Sequence, residues 1–214
     1  MTGNLFVEDP HDMRVFEKMA RRRGFTTIAG VDEAGRGALA GPVVAAAVIL
    51  PEEGDFGAIN DSKKLTPEQR EALYRVIMAQ ALAVGIGVGD HQLIDQINIL
   101  QATLKAMENA VSALAVKADF LLIDGISSPQ SNIPGRTIKK GDSASISVAA
   151  ASIVAKVTRD RMMSRFGEEY PVYGFHIHKG YGSPAHLKAI AEHGPCAIHR
   201  KTFRGVREHL GSAE

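Results

Sequence analysis

The stretch Pro42-Val43-Val44-Ala45-Ala46-Ala47-Val48-Ile49-Leu50 carries no charged or hydrogen-bonding side chain. A strand of that composition has no face suited to water, so it belongs inside a sheet covered on both sides. The apolar run from Leu39 to Leu50 contains Gly41 and Pro42 and is far shorter than the roughly 20 residues of a membrane helix, so no membrane span is expected. A second strand is predicted over Thr26–Asp32, and the intervening Gly35-Arg36-Gly37 turn lets the two pair as a hairpin.

Around this hairpin the pattern alternates. Residues Arg14 to Arg23 read as a short helix stopped by Gly24. Pro67, with Thr66 as cap and Glu68 behind it, opens a helix to about Gln80. A strand is expected over Ala81–Val88 and a helix over Gln96–Val116, where Ile99, Met107, Ala110, Val111 and Leu114 recur at helical spacing. Asp119 to Gly125 reads as an apolar strand ending in Asp124. A long helix is expected from near Asp142, with Ile146, Ala149, Ala150, Ile153 and Val157 on one face and small residues filling its early turns. The order implies an α/β fold with a mixed central sheet flanked by helices.

The apolar run Ile28–Val31 leads into two adjacent carboxylates, Asp32 and Glu33. Such a pair at the end of a buried strand repels itself and resists desolvation, which a divalent cation relieves. Asp124 and Asp142 likewise stand at element ends. Singly, each is a common turn residue or helix cap; together with Asp32 and Glu33 they form a hard oxygen donor set that selects magnesium or manganese. Four carboxylates suit two ions about 3.5–4 Å apart, the arrangement of two-metal phosphoryl hydrolysis.

Several local features point to nucleic acid. Gly35-Arg36-Gly37 allows close backbone approach to a ligand, although alone it is an ordinary turn. Asp61-Ser62-Lys63-Lys64-Leu65 offers a hydroxyl and two ammonium groups, suited to phosphate or simply to solvent. Tyr181, between Gly180 and Gly182, presents a ring able to stack on a sugar or base. His176, His178 and His186 have a spacing that fits no standard zinc site. Arg159, Arg161 and Arg165, and the His199-Arg200-Lys201 run, read as solvated faces, and Met162 and Met163 as core filler.

Composition sets the outer bounds. At 214 residues the chain is expected to form one large domain. Twenty-five Lys and Arg against 24 Asp and Glu give a net charge of +1, so any nucleic-acid-binding surface must be local. The single cysteine, Cys196, excludes an internal disulfide and a cysteine-based zinc site and fits a reducing, cytoplasmic setting. No apolar segment of signal-peptide length lies in Met1–Asp9.

From about Ile28 to Phe203 the chain resembles bacterial type 2 ribonuclease H, the ribonuclease HII family. The resemblance rests on Gly30 to Gly37, Leu39 to Val48, Asp61 to Leu65, Asp124-Gly125, Lys140-Gly141-Asp142, Ala149 to Lys156, Arg159-Asp160 and His178 to Gly182. It implies a ribonuclease H-like fold with a small helical C-terminal extension: an N-terminal segment over 1–26, a catalytic domain over 27–183, and an extension over 184–214 packed on that domain. It implies a monomeric enzyme hydrolysing the RNA strand of RNA–DNA hybrids and single ribonucleotides embedded in DNA, cutting 5′ of the ribonucleotide to leave a 3′-hydroxyl.

Carried onto this sequence, the resemblance makes Asp32, Glu33, Asp124 and Asp142 the catalytic carboxylates holding Mg2+ or Mn2+. Gly35, Arg36 and Gly37 become the turn that senses the ribose 2′-hydroxyl, largely through its backbone. Tyr181 becomes the ring that packs on the following deoxyribose, and Ser62, Lys63 and Lys64 join the substrate contacts. Ala38 stands where the family usually has proline, which is expected to loosen the turn. A hybrid-binding module without catalysis, a ribonuclease HIII-like activity and a paired-carboxylate glycosidase are the competing readings. The absence of Trp and the 6% aromatic content speak against a sugar cleft.

Overall fold

The computed structural model describes residues 12–56, 59 and 65–211. A five-stranded mixed sheet forms the centre, in the order β3-β2-β1-β4-β5. Strands β1 (Ile28–Ala34) and β2 (Val43–Ile49) pair antiparallel, as expected for the hairpin, and β2 pairs antiparallel with β3 (Ala83–Gly89). On the other side β1 runs parallel to β4 (Phe120–Asp124), and β4 to β5 (Gly135–Ile138).

Every residue of β2 is buried, which its uncharged sequence requires. One face of the sheet is covered by α3 (His91–Ser112), whose Ala102, Ala106 and Ala110 pack with Val31, Val43 and Ile123. The other face is covered by α4 (Ile146–Glu169) together with α2 (Pro67–Gln80), through Ile77, Ala150, Ile153 and Val154. Helix α1 (Val15–Arg22) closes one end, its Ala20 packing with Ile28, Phe120 and Val148. The α2 start follows the sequence closely: Thr66 and Gln69 form a reciprocal capping box, with Pro67 at the first helical position.

Glycine sets how closely α4 lies on β1. A Cβ at Gly30 would stand 2.0 Å from the carbonyl carbon of Ser147 and 2.3 Å from the Val148 nitrogen, so only glycine permits this approach.

Three boundaries depart from the sequence expectation. Strand β1 runs on through Asp32 and Glu33 to Ala34, so the two acids sit inside a strand and project to opposite faces. Helix α3 begins at His91, capped by Asp90, and is interrupted at Asn98, whose φ of 67° breaks the helix and whose side chain recaps it at Gln101. Asp142 does not open the long helix. It lies in a separate 3₁₀ turn, Gly141–Ser143, and Ser145 caps α4 through the Val148 N–H. The hydroxyl suits that cap, and Asp142 is thereby released from the capping role.

The C-terminal part contributes the short helix α5 (Phe175–His178) and α6 (Pro184–His193). Phe175, Ala189, Ile190, Ile198 and Val206 pack with Leu39 and Met163 in a further apolar cluster. Among the described residues no helix is long and apolar enough to cross a membrane.

Candidate active site

A cleft of about 290 Å³ opens where β1 ends, lined by Asp32, Glu33 and Asp124, by the Gly35-Arg36-Gly37 turn, and by Arg70, Ser152, Lys156 and Tyr181. The parallel pairing of β1 with β4 explains the meeting of the acids: Val31 lies opposite Ile123, so the next residues along, Asp32 and Asp124, reach the same edge.

Asp32 is 5% exposed. Burial, then the charges of Glu33 and Asp124, push its carboxyl well above the usual carboxylate range; a hydrogen bond from Ser152 and one from the Glu33 N–H oppose the shift. Glu33 pairs with Arg36 at 3.4 Å. Asp124 Oδ1 accepts from the Gly141 N–H at 2.6 Å, which ties β4 to the turn carrying Asp142. Asp142 is buried next to that bond but does not line the cleft. The structure thus gathers Asp32, Glu33 and Asp124 and leaves Asp142 on the adjoining turn.

Among the described residues no three carboxylates form a closed metal cage. The donor chemistry nonetheless fits a hard divalent cation. The acids are oxygen donors, and Asp32 is buried beside the charges of Glu33 and Asp124, a grouping that such an ion would neutralise.

The Gly35-Arg36-Gly37 turn forms one wall. Gly35 has φ +97° and lies on Arg159, whose Nε would stand 1.9 Å from a Cβ added at residue 35. The turn closes with an Ala38 N–H donated to Gly35 O at 3.4 Å, a bond that proline at this position could not make. Tyr181 is 39% exposed, and its ring is flanked by the Arg159 guanidinium at 5.3 Å and Lys156 Nζ at 5.8 Å. A second cleft, of about 800 Å³, continues from it past Arg70, Lys156, Arg161, Arg165 and Lys179. Ser62, Lys63 and Lys64 lie outside the described residues.

Two expectations of solvated faces are corrected. Arg161, Arg165 and Lys201 are exposed, but Arg159, His199 and Arg200 are fully buried. Arg159 donates to the carbonyls of Pro42, Ala40 and Lys179. Arg200 donates to those of Gly35, Arg36 and Gly41. Burial lowers the pKa of both guanidiniums, that of Arg200 to about 9. The signal for Arg159 lay in its spacing: Ala155, Arg159 and Met163 recur every four residues on the buried face of α4.

Two buried histidines, His186 and His199, hydrogen-bond to each other. His186 Nδ1 donates to the Tyr181 carbonyl, and its Nε2 meets His199 Nε2 at 3.0 Å. His199 Nδ1 accepts from the Cys196 N–H. Each ring is therefore neutral, with one nitrogen donating and one accepting. Burial holds both pKa values down to about 4.

An α/β sheet of this topology with carboxylates at the ends of β1 and β4 defines a ribonuclease H-like fold. A solved structure of the ribonuclease H2 from Pyrococcus horikoshii OT3 superposes with a TM-score of 0.72 and 28% identity, covering 86% of this chain and 96% of that one. The family described as Ribonuclease HII matches residues 29–206. Relatives named Ribonuclease HII include one from Geobacter metallireducens, 64% identical over 91% of this chain and 92% of its own length. Another, from Geobacter sulfurreducens, is 63% identical over 100% of this chain and 99% of its own. The chain belongs to the ribonuclease HII family and is a nuclease hydrolysing RNA in RNA–DNA hybrids.

Proposed function

We propose that this protein is a divalent-metal-dependent endoribonuclease that cuts the RNA strand of hybrids and also single ribonucleotides embedded in duplex DNA, on the 5′ side, leaving a 3′-hydroxyl. The observation that carries this reading is the shared cleft: Asp32, Glu33 and Asp124 line the same cavity as the Gly35-Arg36-Gly37 turn and Tyr181. Phosphate chemistry and sugar recognition would then act within one nucleotide of each other. Asp32, Glu33 and Asp124 would hold Mg2+ or Mn2+, with Asp142 joining from the adjoining turn. When bound, two such ions would supply an activated water and neutralise charge developing on the phosphate and the 3′-oxygen.

The turn's backbone reads the 2′-hydroxyl, the group that separates RNA from DNA. Tyr181 packs on the following deoxyribose, so an RNA-to-DNA junction is recognised as such. Ser62, Lys63 and Lys64 contact flanking phosphates. We read 1–26 as an N-terminal segment, 27–183 as the catalytic domain and 184–214 as a helical extension packed on it, and the protein as a cytoplasmic monomer.

The test is cleavage of two labelled substrates, duplex DNA carrying one ribonucleotide and a long RNA–DNA hybrid, each with Mg2+ and with Mn2+. Metal-dependent cutting of both, 5′ of the ribonucleotide in the first, is expected. Cutting of the hybrid alone would favour the ribonuclease HIII-like reading, and binding without turnover a non-catalytic module.

A further inference from the structure

We propose that Arg200, remote in sequence from the cleft, is a positioning residue that aims two backbone N–H donors, those of Arg36 and Gly37, at the ribonucleotide. The inference rests on the reading of the Gly35-Arg36-Gly37 turn as the ribose sensor and adds what holds that turn in a reading conformation.

The argument begins with peptide geometry. In a trans peptide the C=O of one residue and the N–H of the next point in opposite directions. Arg200 Nη2 donates to Gly35 O at 2.7 Å and Nη1 to Arg36 O at 2.8 Å, so both carbonyls face the guanidinium. The N–H groups of Arg36 and Gly37 therefore face away from Arg200. Both residues are exposed and line the cleft. Among the described residues neither N–H donates to a protein acceptor. They are two adjacent donors aimed outward, a fit for the lone pairs of a sugar hydroxyl or its phosphate.

The same guanidinium fixes the turn to the start of β2 through Nε and Gly41 O at 3.0 Å. From the other side Arg159 fills the space under Gly35 and donates to Ala40 O and Pro42 O. Arg200 is fully buried, and every hydrogen bond it makes among the described residues goes to a backbone carbonyl, with none to a carboxylate. A buried cation held only by carbonyls is costly. Its use here is geometric: the rigid planar fork holds three spaced carbonyls in one fixed arrangement, whereas the three donors of a lysine ammonium radiate from a single point on a flexible stem. The positive charge behind the carbonyls also polarises both peptides, making the outward N–H groups better donors.

The test compares wild type, Arg200→Lys and Ile190→Ala. The last is a stability control in the apolar cluster of the C-terminal part. Binding is measured by fluorescence anisotropy without divalent metal, on a duplex carrying one ribonucleotide and on its all-DNA counterpart. Wild type is expected to prefer the ribonucleotide duplex. Arg200→Lys, folded by circular dichroism, is expected to lose at least about tenfold of its affinity for that duplex while binding the all-DNA duplex within about twofold of wild type. Ile190→Ala should keep the preference despite a lower Tm. A folded Arg200→Lys that retains the full preference overturns the role of Arg200 and leaves the ribose reading standing. A wild type without preference overturns the ribose reading itself. Should Arg200→Lys not fold, amide exchange on wild type decides: the Arg36 and Gly37 amides must slow with the ribonucleotide duplex more than with the all-DNA one, and equal slowing overturns the proposal.

Discussion

Gly30→Ala probes how the fold delivers the acid pair to the cleft. The new methyl would lie 2.0 Å from the Ser147 carbonyl carbon, 2.2 Å from its oxygen and 2.3 Å from the Val148 nitrogen, all backbone atoms of the first turn of α4. Ordinary carbon–carbon contact is about 3.5 Å, so α4 and β1 must separate by roughly 1.5 Å. Over-packing of this kind costs about 1–3 kcal/mol, and a backbone obstacle, which cannot rotate away, places it near the upper end. For a chain of this size about 3 kcal/mol lowers Tm by roughly 6–12 °C. The same separation pulls Ser152 from the Asp32 carboxyl it hydrogen-bonds. A displacement of about 1 Å at a reacting centre can cost on the order of 10²-fold in rate. Thermal unfolding and hybrid cleavage, measured on the same preparation, should show both losses. A Tm within about 2 °C of wild type, with cleavage within threefold, would refute the reasoning.

Asp32→Asn should raise Tm in metal-free buffer at neutral pH while abolishing cleavage. The folded-state pKa of Asp32 is raised, so its contribution to stability is present below the unfolded pKa and lost as pH rises through the folded value; an unchanged Tm between pH 4 and 8 in both proteins would count against this. His186 and His199 behave in the opposite sense, since their folded pKa of about 4 lies below the ordinary 6.5. Stability should fall as pH drops from about 6.5 toward 4, and His199→Gln should flatten that fall in acid-unfolding curves. Tyr181→Ala should weaken cutting at a single ribonucleotide by about tenfold through loss of the ring packed on the deoxyribose, a loss at the low end of the roughly 1–3 kcal/mol that stacking on an aromatic side chain contributes, and unchanged kinetics there would remove the packing role.

Much of this was legible in the chain because the signals were local. The uncharged β2 run, the Thr66 and Pro67 helix start and the turn between the first two strands each state their structure within a few residues. The meeting of Asp32 with Asp124 depended on a parallel pairing across distant sequence, which the element ends suggested but only the β1 and β4 register fixes. Other features carry no local mark. Strand β5 is a four-residue edge whose first three residues are exposed, so neither alternation nor an apolar run announces it. Asn98 breaks α3 by a backbone conformation inside an otherwise periodic helix. Charge predicts solvent for Arg159 and Arg200, whereas here backbone carbonyls supply the polar partners, those of Ala40, Pro42 and Lys179 for Arg159 and those of Gly35, Arg36 and Gly41 for Arg200.

The central claim, that these acids hold metal for hydrolysis, is tested most directly by Asp124→Asn. The amide oxygen can keep the bond that Asp124 accepts from the Gly141 N–H at 2.6 Å, so the fold survives while one charge is removed. On duplex DNA carrying a single ribonucleotide with Mg2+, the variant is expected to bind as wild type does and to cleave at least about 10²-fold more slowly. Cleavage within tenfold of wild type, at equal binding, would contradict the account.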